Sequence, residues 1–229
     1  MPRFRLTLSY DGSAFAGSQI QPGQRTVQGE LENALVRLGG VGASTTFAGR
    51  TDRGVHAFGQ VVAVTFPEWR DSAGELERAL AARLPGDLAA RQVTESDSAF
   101  NPRFDAVWRE YRYWIVLGVR SPFLGRYAWL LREGSDAARM NEAANLLLGT
   151  HDFASFAGGG EGVPWSERST RKRGTTRTLL RCAVRNLEFT PGLGRDAGAA
   201  GLEFRIVADG FLPRMVRNIT GALIEVGQG

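Results

Sequence analysis

In the stretch Ala48-Gly49-Arg50-Thr51-Asp52-Arg53-Gly54-Val55-His56-Ala57, one carboxylate, Asp52, stands between two arginines and two glycines. Glycine permits a tight bend and the close approach of another molecule, and guanidinium groups attract anions and favour an ionised acid. An ordinary aspartic acid, with a reference pKa of about 3.9, is anionic at neutral pH. The set suits an exposed carboxylate nucleophile. Two plainer readings compete with it: a polar turn, which is the simplest account of the local chemistry, and an acid-base pair of Asp52 with His56. No Ser or Cys nucleophile motif accompanies such a pair.

The remaining chemistry-bearing residues narrow the field. Cys182 is the only cysteine, and His56 and His151 are the only histidines, so neither an internal disulfide nor a Cys/His zinc site can be assembled. Metal-free chemistry is expected. The 28 basic and 24 acidic residues leave a net charge of +4, and its distribution is uneven. Arg168, Arg171, Lys172, Arg173, Arg177 and Arg181 fall in one window that contains no acid. Such a cluster suits phosphate contacts, although a solvated surface loop accounts for it equally well. Lys172 is the only lysine, so nearly all the positive charge is guanidinium, which binds phosphate bidentately and stacks on bases.

The elements that must position these residues can be read from periodicity. Phe4, Leu6, Leu8 and Tyr10 alternate with polar residues as in a half-buried strand, and Val27, Leu31, Ala34, Leu35 and Leu38 follow at helical spacing behind Thr26, a helix cap. A short strand near 45–48 and a longer one from Phe58 to Phe66 flank Asp52. Ser72 and Glu75 form a capping box for a helix bearing Leu76, Leu80 and Leu84, and a strand around 90–93 closes the unit. The first half reads β-α-β-β-α-β.

The second half repeats the pattern as β-α-β-β-α. Its strands are expected over 108–116, 179–189 and 202–208. One helix is capped by Ser135 and ended by Gly149, and another carries Met215, Val216, Ile219, Leu223 and Val226. The expected fold is α+β, with two ferredoxin-like or RRM-like subdomains, residues 1–105 and 106–229, whose antiparallel sheets form a central cleft. By analogy with the first half, a final strand is expected beyond Gly229. At 229 residues with 43% hydrophobic content, the chain can bury a sizeable core. It has no apolar run of the roughly 18 residues needed to span a bilayer and no signal peptide at Met1, so no membrane partner and a cytoplasmic location are expected.

In this order the motifs resemble those of the TruA family of tRNA pseudouridine synthases. They are Tyr10-Asp11-Gly12, Thr26-Val27-Gln28, residues 48–57, Gly59-Gln60-Val61, Leu84-Pro85-Gly86-Asp87, Arg109-Glu110-Tyr111-Arg112-Tyr113, Gly149 to Phe156, and Phe211-Leu212 with Met215 to Ile219. The resemblance covers essentially the whole chain. It implies the pseudouridine synthase fold, with Asp52 as nucleophile, Arg50 holding the flipped nucleotide, Tyr111 stacking on the target base and Arg217 pairing with Asp52. It also implies a homodimer that acts without cofactor on uridines 38, 39 and 40 of the tRNA anticodon stem-loop. Arg53, His56, Arg171, Lys172 and Arg173 are expected to contact the substrate.

The residues depart from the family pattern at Ser18, where a tryptophan is common, at Arg53, where a small residue is usual, and at the C-terminal segment. Two other functions remain compatible with the sequence. One is a non-catalytic RNA-binding protein; the other is a pseudouridine synthase acting on a different RNA.

Overall fold

The computed structural model describes residues 1–118, 120, 122, 124–132, 134–158, 174–189 and 199–229. They form two compact units, Met1–Ala106 and Val107–Gly229.

The first unit contains β1 (Arg3–Tyr10), α1 (Val27–Arg37), β2 (Ser44–Phe47), β3 (Ala57–Thr65), α2 (Ala73–Ala81) and β4 (Leu88–Glu95). Its strands lie in the order β2-β3-β1-β4, and every pairing is antiparallel. The alternation expected of β1 is present: Phe4, Leu6, Leu8 and Tyr10 are buried, together with Val62, Val64 and Phe66 from β3 and its end. Val27, Leu31 and Leu35 of α1 and Leu76 and Leu80 of α2 complete the core. Each such side chain contributes about 1.5–3 kcal/mol when fully buried.

The caps set where these helices start. Thr26 Oγ1 accepts the Gly29 amide at 3.2 Å, and Ser72 Oγ accepts the Glu75 amide at 3.2 Å. The capping box expected at α2 is half formed, because the Glu75 carboxylate pairs instead with Arg78 one turn on. A guanidinium ties the rest of the unit together. Arg25 donates to both Asp87 oxygens at 2.7 and 2.9 Å and to Glu30 at 2.6 Å, and lies 4.4 Å above the Phe15 ring. The Asp87 carbonyl accepts the Asp11 amide at 3.0 Å. Thus the Leu84-Pro85-Gly86-Asp87 turn is fastened to the segment that follows β1.

The second unit contains β5 (Arg109–Leu117), β6 (Trp129–Leu131), α3 (Ala137–Asn145), β7 (Gly149–Asp152), β8 (Thr176–Phe189), β9 (Ala199–Ala208) and α4 (Met215–Gln228). The strand order is β6-β5-β9-β8-β7. Three details correct the sequence reading. The sheet is mixed, because the unanticipated β6 runs parallel to β5. Asp136 caps α3 in place of Ser135, since its carboxylate accepts the amides of both Ala138 and Arg139, whereas the Ser135 hydroxyl contacts Met140 Sδ at 3.3 Å. Gly149 opens β7 with φ +95° instead of ending α3, which stops at Asn145.

α3 and α4 pack closely where Gly227 offers no side chain: a Cβ there would lie 2.1 Å from Ser135 Oγ and 2.8 Å from Met140 Cγ. Beneath them sit Ile115, Leu202, Phe204 and Ile206 of the sheet, against Met215 and Ile219 of α4. On the opposite sheet face Glu203, only 5% exposed, accepts from Arg185 Nε at 2.5 Å and from Trp114 Nε1 at 3.3 Å. Burial alone would raise this carboxyl, but the Arg185 and Trp114 hydrogen bonds outweigh it and hold the group below its ordinary value.

The Arg25 hydrogen bonds likewise hold the Asp87 carboxyl below its ordinary value of 3.8, against the opposing effect of burial. Because the folded value is the lower one, this stabilisation is present above about pH 4 and is lost as the pH falls through the folded value. Thermal unfolding between pH 7 and pH 3 should therefore lower the midpoint of the wild type more than that of Asp87→Asn. Equal acid sensitivity would contradict the pairing.

Candidate active site

The loop between β2 and β3 carries Arg50, Asp52 and Arg53, all three exposed, and the half-buried His56. Its first residues are held from the β3 side. The Ala48 amide donates to Val61 O at 2.9 Å, and Gln60 Nε2 donates to Gly49 O at 2.7 Å. Beyond Asp52 the Val55 amide returns to Asp52 O at 3.2 Å, and the Gly54 amide reaches Phe15 O at 3.4 Å. Gly54 has φ +77°, a value that suits glycine in so tight a bend.

The segment after β1 packs against the other side of the loop. Thr51, the residue before Asp52, donates its amide to Ser18 Oγ at 2.8 Å and accepts the Ser18 amide at 3.0 Å. Its hydroxyl lies 2.9 Å from the Tyr10 hydroxyl. Two glycines let the backbones come this close. A Cβ on Gly12 would meet Val55 O at 2.1 Å, and one on Gly17, whose φ is +124°, would meet Thr51 O at 2.9 Å. Only glycine satisfies both the space and the dihedral angle at position 17.

His56 braces the same interface. Its Nδ1 lies 3.1 Å from both the Gly12 amide and Asp11 Oδ1. These are alternatives, since Nδ1 accepts from Gly12 only when unprotonated and donates to Asp11 only when protonated.

The second unit holds the other expected site residues. Tyr111 lies on β5 opposite Ile206 of β9, half-buried, with its ring edge-to-face on Phe211 at 5.2 Å between centroids. Arg217 is exposed on the first turn of α4. Arg50, Asp52, Arg53 and His56 therefore share one loop of the first unit, while Tyr111 and Arg217 belong to the second. Arg171, Lys172 and Arg173 lie outside the described residues. Burial pushes the Cys182 thiol up to about 12, so it is not a thiolate nucleophile at neutral pH. Among the described residues no group of three or more His, Cys, Asp or Glu side chains could hold a metal ion, and no helix is long and apolar enough to cross a membrane.

Periodicity missed the loop's supports. In the sequence Ser18 stands out only as a departure from a family pattern, and Tyr10 as the end of an apolar stripe and the start of the Tyr10-Asp11-Gly12 motif. What singles them out is contact with Thr51, which is far away in the chain. The one sequence signal was the run of glycines, Gly12 and Gly17, beside a segment rich in polar residues.

Two α+β units, one of them presenting an exposed carboxylate on a loop fixed from both sides, are consistent with the pseudouridine synthase fold. A family model described as tRNA pseudouridine synthase matches residues 7–105 and 143–229. The chain is 39% identical over 229 residues to tRNA pseudouridine synthase A of Thermosipho africanus, covering 100% of this chain and 86% of that protein. It is 40% identical over 229 residues to tRNA pseudouridine synthase A of Geobacillus kaustophilus, covering 99% of this chain and 81% of the relative. The chain belongs to the TruA family of tRNA pseudouridine synthases, which are isomerases.

The demands at Gly17, close approach and φ +124° together, are testable against a glycine of milder positive φ in open surroundings. Gly23 has φ +67° and nothing within 4 Å of its Cβ position. Gly17→Ala should cost about 1–3 kcal/mol in urea unfolding and reduce the isomerisation rate, whereas Gly23→Ala should cost about 1 kcal/mol or less and leave the rate unchanged.

Proposed function

We propose that this chain isomerises uridine to pseudouridine at positions 38, 39 and 40 of the tRNA anticodon stem-loop, with Asp52 as the nucleophile. The observation that carries the reading is a carboxylate exposed at the tip of a loop whose backbone is hydrogen-bonded on both sides. A nucleophile needs that combination of access and fixed direction.

The reaction balances without a second substrate. The N1–C1′ bond breaks, the uracil turns, a C5–C1′ bond forms, the C5 proton leaves and N1 gains a proton. Addition of Asp52 to C6, its attack on C1′, and a glycal route assisted by Asp52 all satisfy this balance. The base must first leave its stack, at a cost of a few kcal/mol, and stacking on an aromatic side chain returns roughly 1–3 kcal/mol. Tyr111 is assigned that stacking role and Arg50 the retention of the flipped nucleotide. Arg217 is assigned the aiming of Asp52 through an ion pair. Arg53, His56, Arg171, Lys172 and Arg173 are assigned contacts with the RNA.

In this reading residues 1–105 are the subdomain that carries the nucleophile and residues 106–229 the one that supplies the stacking tyrosine. The enzyme works as a cytoplasmic homodimer. The family membership and the tRNA named for the relatives support the substrate class.

Release of tritium from tRNA labelled at uridine C5 tests the chemistry. Asp52→Asn should abolish release, by about a thousandfold or more, while tRNA binding persists. Release that continues at the wild-type rate would refute the nucleophile. Wild-type protein that binds tRNA but releases no tritium would favour an RNA-binding role, and pseudouridine lost at other positions in a deletion strain would favour a different target.

A second measurement concerns the basic segment. Replacing Arg171, Lys172 and Arg173 together by alanine should weaken tRNA binding and lower the slope of log K against log salt by about 2, since each phosphate contact adds roughly 0.7–0.9. An unchanged slope would identify a solvated loop.

A further inference from the structure

We propose that Ser18 is a positioning residue for Asp52, acting through Thr51; the inference rests on the reading of Asp52 as nucleophile given above. Ser18 is 1% exposed, one of the few buried polar residues among the described ones. A buried hydroxyl with nothing to do would be costly, and here the oxygen accepts the amide of Thr51 at 2.8 Å. The backbone amide of the same serine donates to the carbonyl of the same threonine at 3.0 Å. With the Tyr10 hydroxyl 2.9 Å from Thr51 Oγ1, the amide, carbonyl and hydroxyl of Thr51 are all engaged. Thr51 is thus a peg set directly before the nucleophile.

The clamp is itself anchored to a rigid element. The Ser18 carbonyl accepts the amide of Gln28 in the first turn of α1 at 2.9 Å, and the Gly17 carbonyl accepts that of Val27 at 3.3 Å. Tyr10, only 5% exposed, is the last residue of β1. The direction of the Asp52 Cα–Cβ bond is therefore referred through Thr51 to both a helix and a strand of the core. A hydroxyl at position 18 supplies a directional bond at that point. An alanine there would leave the Thr51 amide without its acceptor.

A role confined to stability would lower the amount of competent protein. Positioning lowers the turnover of the competent protein and leaves substrate affinity intact. The test compares wild type, Ser18→Ala, Ser18→Thr, Tyr10→Phe and Asp52→Asn in the tritium-release assay, with kcat normalised to the fraction of each protein that binds tRNA. Ser18→Ala should lose about tenfold or more in normalised kcat with KM within about twofold of wild type. Ser18→Thr, which keeps the hydroxyl, should recover most of the loss, and Tyr10→Phe should change kcat in the same direction as Ser18→Ala. Should Ser18→Ala fail to fold, Tyr10→Phe reads the same clamp.

A wild-type normalised kcat in Ser18→Ala, or in Tyr10→Phe where that variant must stand in, overturns the proposal. The failure of the underlying reading is distinguishable. An active Asp52→Asn overturns both assignments, whereas an inactive Asp52→Asn beside a fully active Ser18→Ala overturns the clamp alone.

Discussion

The hydrogen bonds that fasten the β2–β3 loop between β3 and the segment after β1 are the constraint on which the candidate site depends. A nine-residue connection with exposed charged side chains has little apolar surface with which to hold its own shape. Here the backbone is held instead. Ala48 and Gly49 are tied to β3, Thr51 to Ser18, and Gly54 to Phe15, so restraint falls on both sides of Asp52. Each such bond contributes only about 0.5–1.5 kcal/mol, but together they remove most of the loop's conformational choices. The residue they leave exposed is the one whose direction matters.

The supporting segment needs its own support, and Arg25 provides it. One guanidinium meets Asp87 and Glu30 while covering the Phe15 ring, and the Asp87 carbonyl takes the Asp11 amide. The turn before β4, the start of α1 and the segment that grips Thr51 are therefore mutually fixed. Asp87 is conspicuous in the sequence as part of Leu-Pro-Gly-Asp, a motif far from Asp52, and its position shows why a structural turn belongs to the same constellation. This is more than a rim ion pair, because one guanidinium binds Asp87 bidentately, meets Glu30 as well and rests on an aromatic face.

How much was legible from the chain follows from the range of each interaction. β1, α1, α2 and α4 were readable because a single face of each is apolar and periodic over eight or more residues. β6 and β7 were not, because three or four residues are too few to show alternation. The α3 cap was misplaced by one residue because Ser135 and Asp136 are both good caps, and the carboxylate, with two amides in reach, prevails over the hydroxyl. The motifs single out Asp52, Arg50, Tyr111 and Arg217 as candidates. The Ser18 contact could not be found this way: nothing in Gly17-Ser18-Gln19 points to Thr51, and only the folded chain brings their backbones within hydrogen-bonding distance.

The exposure of Arg50 and Arg53 bears on what the fold contributes to catalysis. Charges on the solvent side of a loop act on one another through water and salt, so their attraction for a neighbouring carboxylate is strongly screened. Geometry is where a protein can gain more, because a misplacement of about an ångström can cost a hundredfold in rate. Under the proposed reading, the arginines serve the RNA and the hydrogen-bonded clamp sets the direction of the carboxylate. The glycines belong to the same geometry: Gly17 lets the backbone approach Thr51, just before Asp52, and Gly12 lets it approach Val55, just beyond.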